Sequence, residues 1–302
     1  MNRVLRLLHG AALLLLLATT ALAGDAPVLR VAYAGSMGTV MDGALGPAFA
    51  HAHHANYQGI GQGSYALARL LVGHQMQADV FVGITPGPIK VLKKAGLVKQ
   101  AVPVASTRMV VIYSPKSRFA ADFAAAAKGL KPWYDVLREP GLRLGRTDPA
   151  VDPQGANALL TLQLAALYYH QPHLLREVAG DLQNHRQIFA ETSLMSRLEA
   201  GQIDAAIGYY SAARSHHLPT IKLPGQIDLA HPSMQANWYA KAGLTLKNGK
   251  TLHARPLVFY AAVLDNAKQP ALGHDFVRFL QGRQGQAMLH KHGYGPPHGG
   301  SP

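Results

Sequence analysis

The sequence predicts an α/β protein of two lobes, each a mostly parallel sheet flanked by helices, with a ligand cleft between them. Three observations carry this. Strand-like and helix-like runs alternate from Val28 to Ala95 as three successive β-then-α units, the pattern of parallel sheets. Long apolar runs within 108–113 and 257–264 stand where a chain could cross from one lobe to the other and return. Between them the strand-and-helix pattern restarts. The other arrangement these runs allow is a single domain with both as central strands.

Each element follows from local signals. Residues 1–23 read as a secretory leader: Arg3 and Arg6 give a positive start, Leu7 through Leu17 an apolar core, and Ala21-Leu22-Ala23 a small-residue cleavage site. That apolar core is shorter than the roughly 20 residues a membrane helix needs. Strands are expected at Val28 to Tyr33, Ala55 to Gly61 and Ala78 to Val82, followed by helices at Thr39 to Phe49, Tyr65 to Val72 and Pro88 to Ala95. The run 108–113 is a buried strand ended by Ser114-Pro115. Then come a short helix at Trp133 to Leu137, a strand at Arg143 to Thr147, helices at Asn157 to Tyr169 and Leu194 to Ala200, and a strand at Ile203 to Tyr209. After the second crossing, one long helix is expected from Gln269 to His290, broken by Gly293-Tyr294-Gly295-Pro296-Pro297. The expected division is a leader over 1–23, a first lobe over 24–107 and 255–302, and a second lobe over 108–254.

Two serines stand out. Ser36 ends the strand-like run from Leu29, and Ser64 ends Gly59-Ile60-Gly61-Gln62-Gly63; each opens a helix-like stretch. A helix start offers backbone N–H groups without intrahelical partners and the positive end of the helix dipole, so an oxyanion can be held there without lysine or arginine. Each serine could equally be an N-cap.

Composition narrows the partners. The 302-residue chain has a formal charge of +13 and no cysteine, so it is basic, has no disulfides and cannot carry a cysteine-linked lipid anchor. A basic exported protein suits anionic partners. Its lysines and arginines are scattered and no aromatic-interleaved basic motif appears, so nucleic acid is not expected. Neither serine lies in a Gly-x-Ser-x-Gly nucleophile elbow, and no phosphate loop or zinc-protease helix occurs; an enzyme is not expected.

Taken in order, Tyr33-Ala34-Gly35-Ser36, Gly63-Ser64-Tyr65-Ala66-Leu67-Ala68, Ala78-Asp79-Val80-Phe81-Val82, Asp148-Pro149 with Asp152-Pro153-Gln154-Gly155, Ala200-Gly201-Gln202-Ile203-Asp204 with Tyr209 and Ser211, and Gly285-Gln286-Ala287 through Gly293-Tyr294 resemble the molybdate- and tungstate-binding proteins of ABC importers. The resemblance covers nearly the whole chain after the leader. It implies a periplasmic, monomeric solute-binding protein of the type II two-lobed fold. Such a protein closes on a tetrahedral oxyanion, molybdate or tungstate, and delivers it to an inner-membrane permease, with no cofactor and no resident metal. By the same resemblance Ser36 and Ser64 hold oxyanion oxygens from the first lobe, a backbone amide of the Asp152-Pro153-Gln154-Gly155 loop contacts the anion, the Tyr209 hydroxyl completes the shell, and Glu191 contributes a backbone N–H.

Two departures follow. In the archaeal, tungstate-type branch two carboxylates approach the metal centre; Asp152 matches the first, but Gly208 precedes Tyr209 where the second is expected. A lone aspartate beside a dianion must then coordinate the metal, be protonated, or cap the helix that follows, and capping is favoured. The turn Gly83-Ile84-Thr85-Pro86-Gly87 also replaces the acidic turn usual after the third strand.

Two other readings compete. Adjacent Tyr209 and Tyr210, with Asp152, Glu191 and a histidine, could grip ferric iron, although neighbours in a strand point to opposite faces. The histidines of His51-Ala52-His53-His54, His216-His217 and the tail (His290, His292, His298) could buffer zinc, nickel or copper, but a solvated surface is the better account.

Overall fold

The computed structural model describes residues 26–302; the leader expected over 1–23 lies outside the described residues. The first lobe is built from repeated strand–helix units. β1 (Val28–Ala34) ends at Gly35, and the chain winds through a 3₁₀ turn (Gly35–Met37), α1 (Gly38–Val40), a wider π-type turn (Met41–Leu45) and α2 (Gly46–Ala52). Met37, Val40, Met41, Leu45 and Phe49 recur three and four residues apart and are fully buried, which fixes this helical stretch against the sheet. β2 (Asn56–Gln62), α3 (Ser64–Val72), β3 (Val80–Ile84), α4 (Pro86–Lys94) and β4 (Val102–Ser106) follow.

The second lobe comprises β5 (Met109–Tyr113), α5 (Ala120–Ala127), α6 (Trp133–Leu137), β6 (Leu144–Gly145), α7 (Pro153–Tyr168), α8 (Leu174–Ala179), α9 (Glu191–Ala200), β7 (Ala205–Tyr209), α10 (Tyr210–Ser215) and β8 (Thr220–Lys222). A hairpin of β9 (Gly243–Thr245) and β10 (Thr251–His253) docks on α7, where the Gln163 side chain exchanges hydrogen bonds of 3.0 and 3.1 Å with the Gly243 backbone. β11 (Val258–Val263) then returns to the first sheet, and α11 (Pro270–Gln281) and α12 (Arg283–Lys291) close the chain.

The first sheet has the order β2-β1-β3-β11-β4 and the second β6-β7-β5-β8. The helix-flanked, two-lobed α/β fold is the expected one, but the sheets are mixed rather than mostly parallel. β1 runs parallel to β2 and β3, whereas β11 runs antiparallel to both its neighbours. Likewise β6 and β7 are parallel, and β5 is antiparallel to β7 and β8. The reversed strands are β5 and β11, the two apolar runs that follow a crossing. Buried Asp79 ties the return in place by accepting from the amides of Arg30 (2.8 Å) and Gln269 (2.9 Å).

Two expected elements change. The strand at Arg143 to Thr147 shrinks to β6, because the Arg146 backbone leaves the sheet to bond Gln187 O and Phe189 N at 2.8 and 2.9 Å. The single helix from Gln269 to His290 is two, since Gly282 takes up extended backbone between α11 and α12. One continuous apolar core runs through both lobes, and a second cluster around Leu67, Phe81, Ile89 and Leu92 packs the other face of the first sheet.

Candidate anion-binding site

The first lobe presents hydroxyls that its own structure does not consume. Ser36 lies in the turn after β1 and Ser64 is the first residue of α3, but neither is an N-cap. Ala34 and Gly63 hold those positions, and no side chain caps either end. The helix-cap alternative therefore fails for both. The Ser36 Oγ is buried without a well-aligned protein hydrogen bond. Ser64 is fully buried, and its Oγ accepts only a long 3.4 Å bond from the Ile84 amide. The Tyr294 hydroxyl fixes the turn by donating to the Ser36 carbonyl at 3.3 Å.

From the second lobe comes the head of α7. Asp152 caps it as expected, its Oδ1 accepting from the Gln154 amide at 2.9 Å. The Gly155 amide donates to the Thr147 hydroxyl at 2.7 Å. A Cβ on Gly155 would lie 2.0 Å from the Thr147 carbonyl oxygen, so only glycine permits this approach. The Gln154 side chain is a strut: its Oε1 accepts from the Thr147 amide at 2.8 Å and its Nε2 donates to the Ile207 carbonyl at 2.6 Å. Pro153 has no N–H. The amides of residues 153–155 are thus absent or spent within the lobe, and the loop offers the site a carboxyl in place of the expected amide.

Tyr209 ends β7 with 1 % exposure, and its hydroxyl accepts from Asn157 Nδ2 at 3.1 Å, which leaves its own proton to donate. Burial, and then the negative fields of Asp152 and Glu191, push its pKa up, so it stays a donor. Tyr210 begins α10 and turns away, its ring 4.3 Å under the Arg108 guanidinium. The tyrosine pair that the ferric reading needs on one ion is split between two directions. Among the clustered histidines, His51 closes the last turn of α2, and His216 and His292 are held by Thr39 and Glu199 and by Ser215.

Glu191 supplies what the sequence left missing. It begins α9, and its side chain, rather than the expected backbone N–H, enters the site: a Cβ on Gly35 would lie 2.8 Å from its Oε2. Both its carboxylate oxygens are buried without a well-aligned hydrogen bond. Asp152 and Glu191 therefore form the acidic pair that Gly208 seemed to exclude. Burial pushes the Asp152 carboxyl up to about 6, against the bonds from the Gln154 amide and Thr147. Burial first, and then the charge of Asp152, raise Glu191 well above the carboxylate range, opposed by the Ser36 hydroxyl and the amides of Ser36 and Gly35. Those opposing donors are the ones an oxyanion would use.

The lobes meet around this cluster. The Ala66 amide donates to Val151 O at 3.1 Å, Arg69 Nη2 to Ala150 O at 2.8 Å, and Thr39 Oγ1 meets His216 Nε2 at 3.0 Å. A cleft of about 440 Å³ adjoins the acidic pair, lined by Gln62, Gly63, Thr147, Asp152, Phe189 and Glu191 among others. Gly63 is a close contact between the lobes: a Cβ there would lie 2.9 Å from both Asp152 Cβ and the Val151 carbonyl oxygen. Gly63→Val is accordingly expected to hold the lobes apart, enlarging the radius of gyration in solution scattering while the circular dichroism of the folded chain is kept.

A family model described as bacterial extracellular solute-binding protein matches residues 29–295. The chain belongs to this family. Molybdate/tungstate-binding protein WtpA of Pyrococcus abyssi is 30 % identical over 205 residues, 61 % of this solute-binding protein and 58 % of that one; less than two thirds of that relative's length is matched. A solute-binding protein of Halobacterium salinarum is 28 % identical over 268 residues, 88 % of this chain and 84 % of its own. The periplasmic molybdate-binding protein of Azotobacter vinelandii shares the fold with a TM-score of 0.60 at 14 % identity, over 89 % of this chain and all of that one. Among the described residues no helix is long and apolar enough to cross a membrane.

The sequence missed three supporting residues: Asn157, Thr147 and Tyr294. Asn157 had a readable signal, a polar residue amid the apolar head of a helix, and it is buried there at 5 % exposure.

Proposed function

We propose that this protein captures a tetrahedral oxyanion, molybdate or tungstate, between its lobes and delivers it to the permease of an ABC importer. On this reading residues 1–23 export it to the periplasm, 24–107 with 255–302 form one jaw and 108–254 the other, and it works as a monomer without catalysis. One observation carries the reading. Ser36 Oγ, Ser64 Oγ and the Tyr209 hydroxyl, from both lobes, are each buried and each keep hydrogen-bonding capacity that the fold does not use. Buried polar groups are ordinarily paired, and a dianion would satisfy these at once. The names of the relatives agree with an oxyanion.

Asp152 and Glu191 fit such a ligand in protonated form, when each carboxyl is a donor and does not repel the anion. A thermal-shift series with molybdate, tungstate, sulfate, ferric iron and zinc tests the function. A ligand at 100 times its Kd stabilises by about 2.7 kcal/mol. Molybdate and tungstate are expected to give the largest shifts. No shift with any oxyanion, or a larger one with ferric iron, would reject the reading.

A further inference from the structure

Beside the buried site lies a second cavity, of about 430 Å³, whose walls are α4, the head of α7, the β9–β10 hairpin and the segment that follows it. Lys90, Lys94, Lys250, His253 and Arg255 line it, and among the described residues no aspartate or glutamate does. The turn after β3, where an acidic residue was expected, gives this wall Thr85, Pro86 and Gly87 instead. Thr85 holds φ 65° and ψ 160°, strained backbone for a β-branched residue of the kind that collects at functional positions. The α4 N-terminus adds its positive end at the same wall.

This cavity shares a partition with the inner site. Tyr65, next to Ser64, lies in its wall with Lys250 Nζ 4.7 Å from the ring centroid. Asn157, which bonds the Tyr209 hydroxyl, lines it too. The basic groups come from both sides of the mouth: Lys90 and Lys94 from the first lobe, Lys250 and His253 from the second. Like charges facing one another across a closing gap repel, and a multivalent anion between them removes that repulsion.

We infer that the basic cavity between α4, α7 and the β9–β10 hairpin is a second, weak oxyanion site, the port that collects the anion before the lobes close. It rests on the reading of the inner site as an oxyanion site, but it can be tested apart from it. Steering by such a cluster raises association rates by about tenfold or more and falls with ionic strength. It leaves dissociation from the closed inner site untouched.

The decisive test is an amide-shift titration with sodium molybdate of the Ser36→Ala, Ser64→Ala double variant, whose inner site is disabled. Saturable shifts are expected at Lys90, Lys94, Thr251 and Arg255, and they should vanish when Lys90→Gln, Lys94→Gln and Lys250→Gln are added. No saturable shift there, or shifts that survive the lysine changes, would overturn the port. In stopped-flow, the lysine triple on the otherwise native protein should associate about tenfold more slowly at low salt. The equally charged control Lys116→Gln, Lys128→Gln, Lys268→Gln should not. Equal slowing in both would assign the effect to net charge and overturn a local port. If native protein shows no tight molybdate binding, the inner-site reading falls, and the titration still decides the port.

Discussion

Ser36→Ala and Ser64→Ala are each expected to weaken oxyanion affinity about 10- to 100-fold while leaving the ligand-free protein's stability within about 1 kcal/mol of native. The dissociation of the two effects is the informative part. A hydrogen bond from a hydroxyl to a charged acceptor contributes roughly 1.5–3 kcal/mol, and that is lost on binding. In the ligand-free chain there is little to lose: Ser36 Oγ makes no well-aligned bond, only a loose approach to the Glu191 carboxyl, and Ser64 Oγ accepts one long bond from Ile84. Removing a buried hydroxyl that makes only long or poorly aligned bonds costs little. A serine serving as an N-cap would behave the other way, costing about 1 kcal/mol of stability and no affinity. Calorimetric titration with molybdate beside thermal melting separates these. If both variants bind as tightly as native, the serines are not ligands and the clamp is wrongly placed.

What was legible in the sequence divides along a physical line. Elements with a strong period or a local stop signal were readable: Trp133–Leu137 falls where expected, and β1, α3 and β11 within a residue or two. The strand directions were not, because a continuous apolar run such as Met109–Tyr113 says that a strand is buried and nothing about which way its neighbours run. Ser36 and Ser64 stood out because each sits at a junction of strand and helix, where local rules place groups; the roles of Asp152 and Tyr209 came from the resemblance. Glu191 was misjudged because its role is purely tertiary. The loop before α9 is carried by long-range bonds from Arg146, whose buried guanidinium holds the carbonyls of Asp181 and Leu182 and the Gln187 side chain. No spacing reports where such a loop delivers its last residue. Gln154 differs for the reverse reason: the backbone amide expected to meet the anion donates to the capping Asp152, and its side chain joins Thr147 to Ile207.

Oxyanion affinity is expected to fall as pH rises above about 6, and Glu191→Gln is expected to flatten that fall. A dianion beside Asp152 and Glu191 disfavours their ionised forms further, so binding takes up protons wherever the free protein has released them. Burial pushes the Asp152 carboxyl up to about 6, and burial with the charge of Asp152 holds Glu191 above the carboxylate range. Affinity should therefore be level below about pH 5 and decline through neutrality by up to tenfold per pH unit for each proton taken up. Stability of the ligand-free protein moves in the same direction. A carboxyl whose folded pKa is raised contributes stability that is full below its unfolded value and lost as pH rises through the folded one. Asp152, with its ordinary value of 3.8 raised to about 6, should cost the protein roughly 2–3 kcal/mol between pH 4 and 8. Asp152→Asn keeps a capping side chain and removes the titration, so it should be the more stable protein at pH 8 and equal to native at pH 4. Calorimetric affinities for molybdate at pH 5, 6.5 and 8 distinguish the two chemistries open to the acidic pair. If the carboxyls serve as neutral donors, Glu191→Gln, an amide that cannot ionise, retains binding at pH 8. If they serve as ionised ligands to the metal centre, that variant loses affinity at every pH, and native protein binds more tightly as the pair ionises.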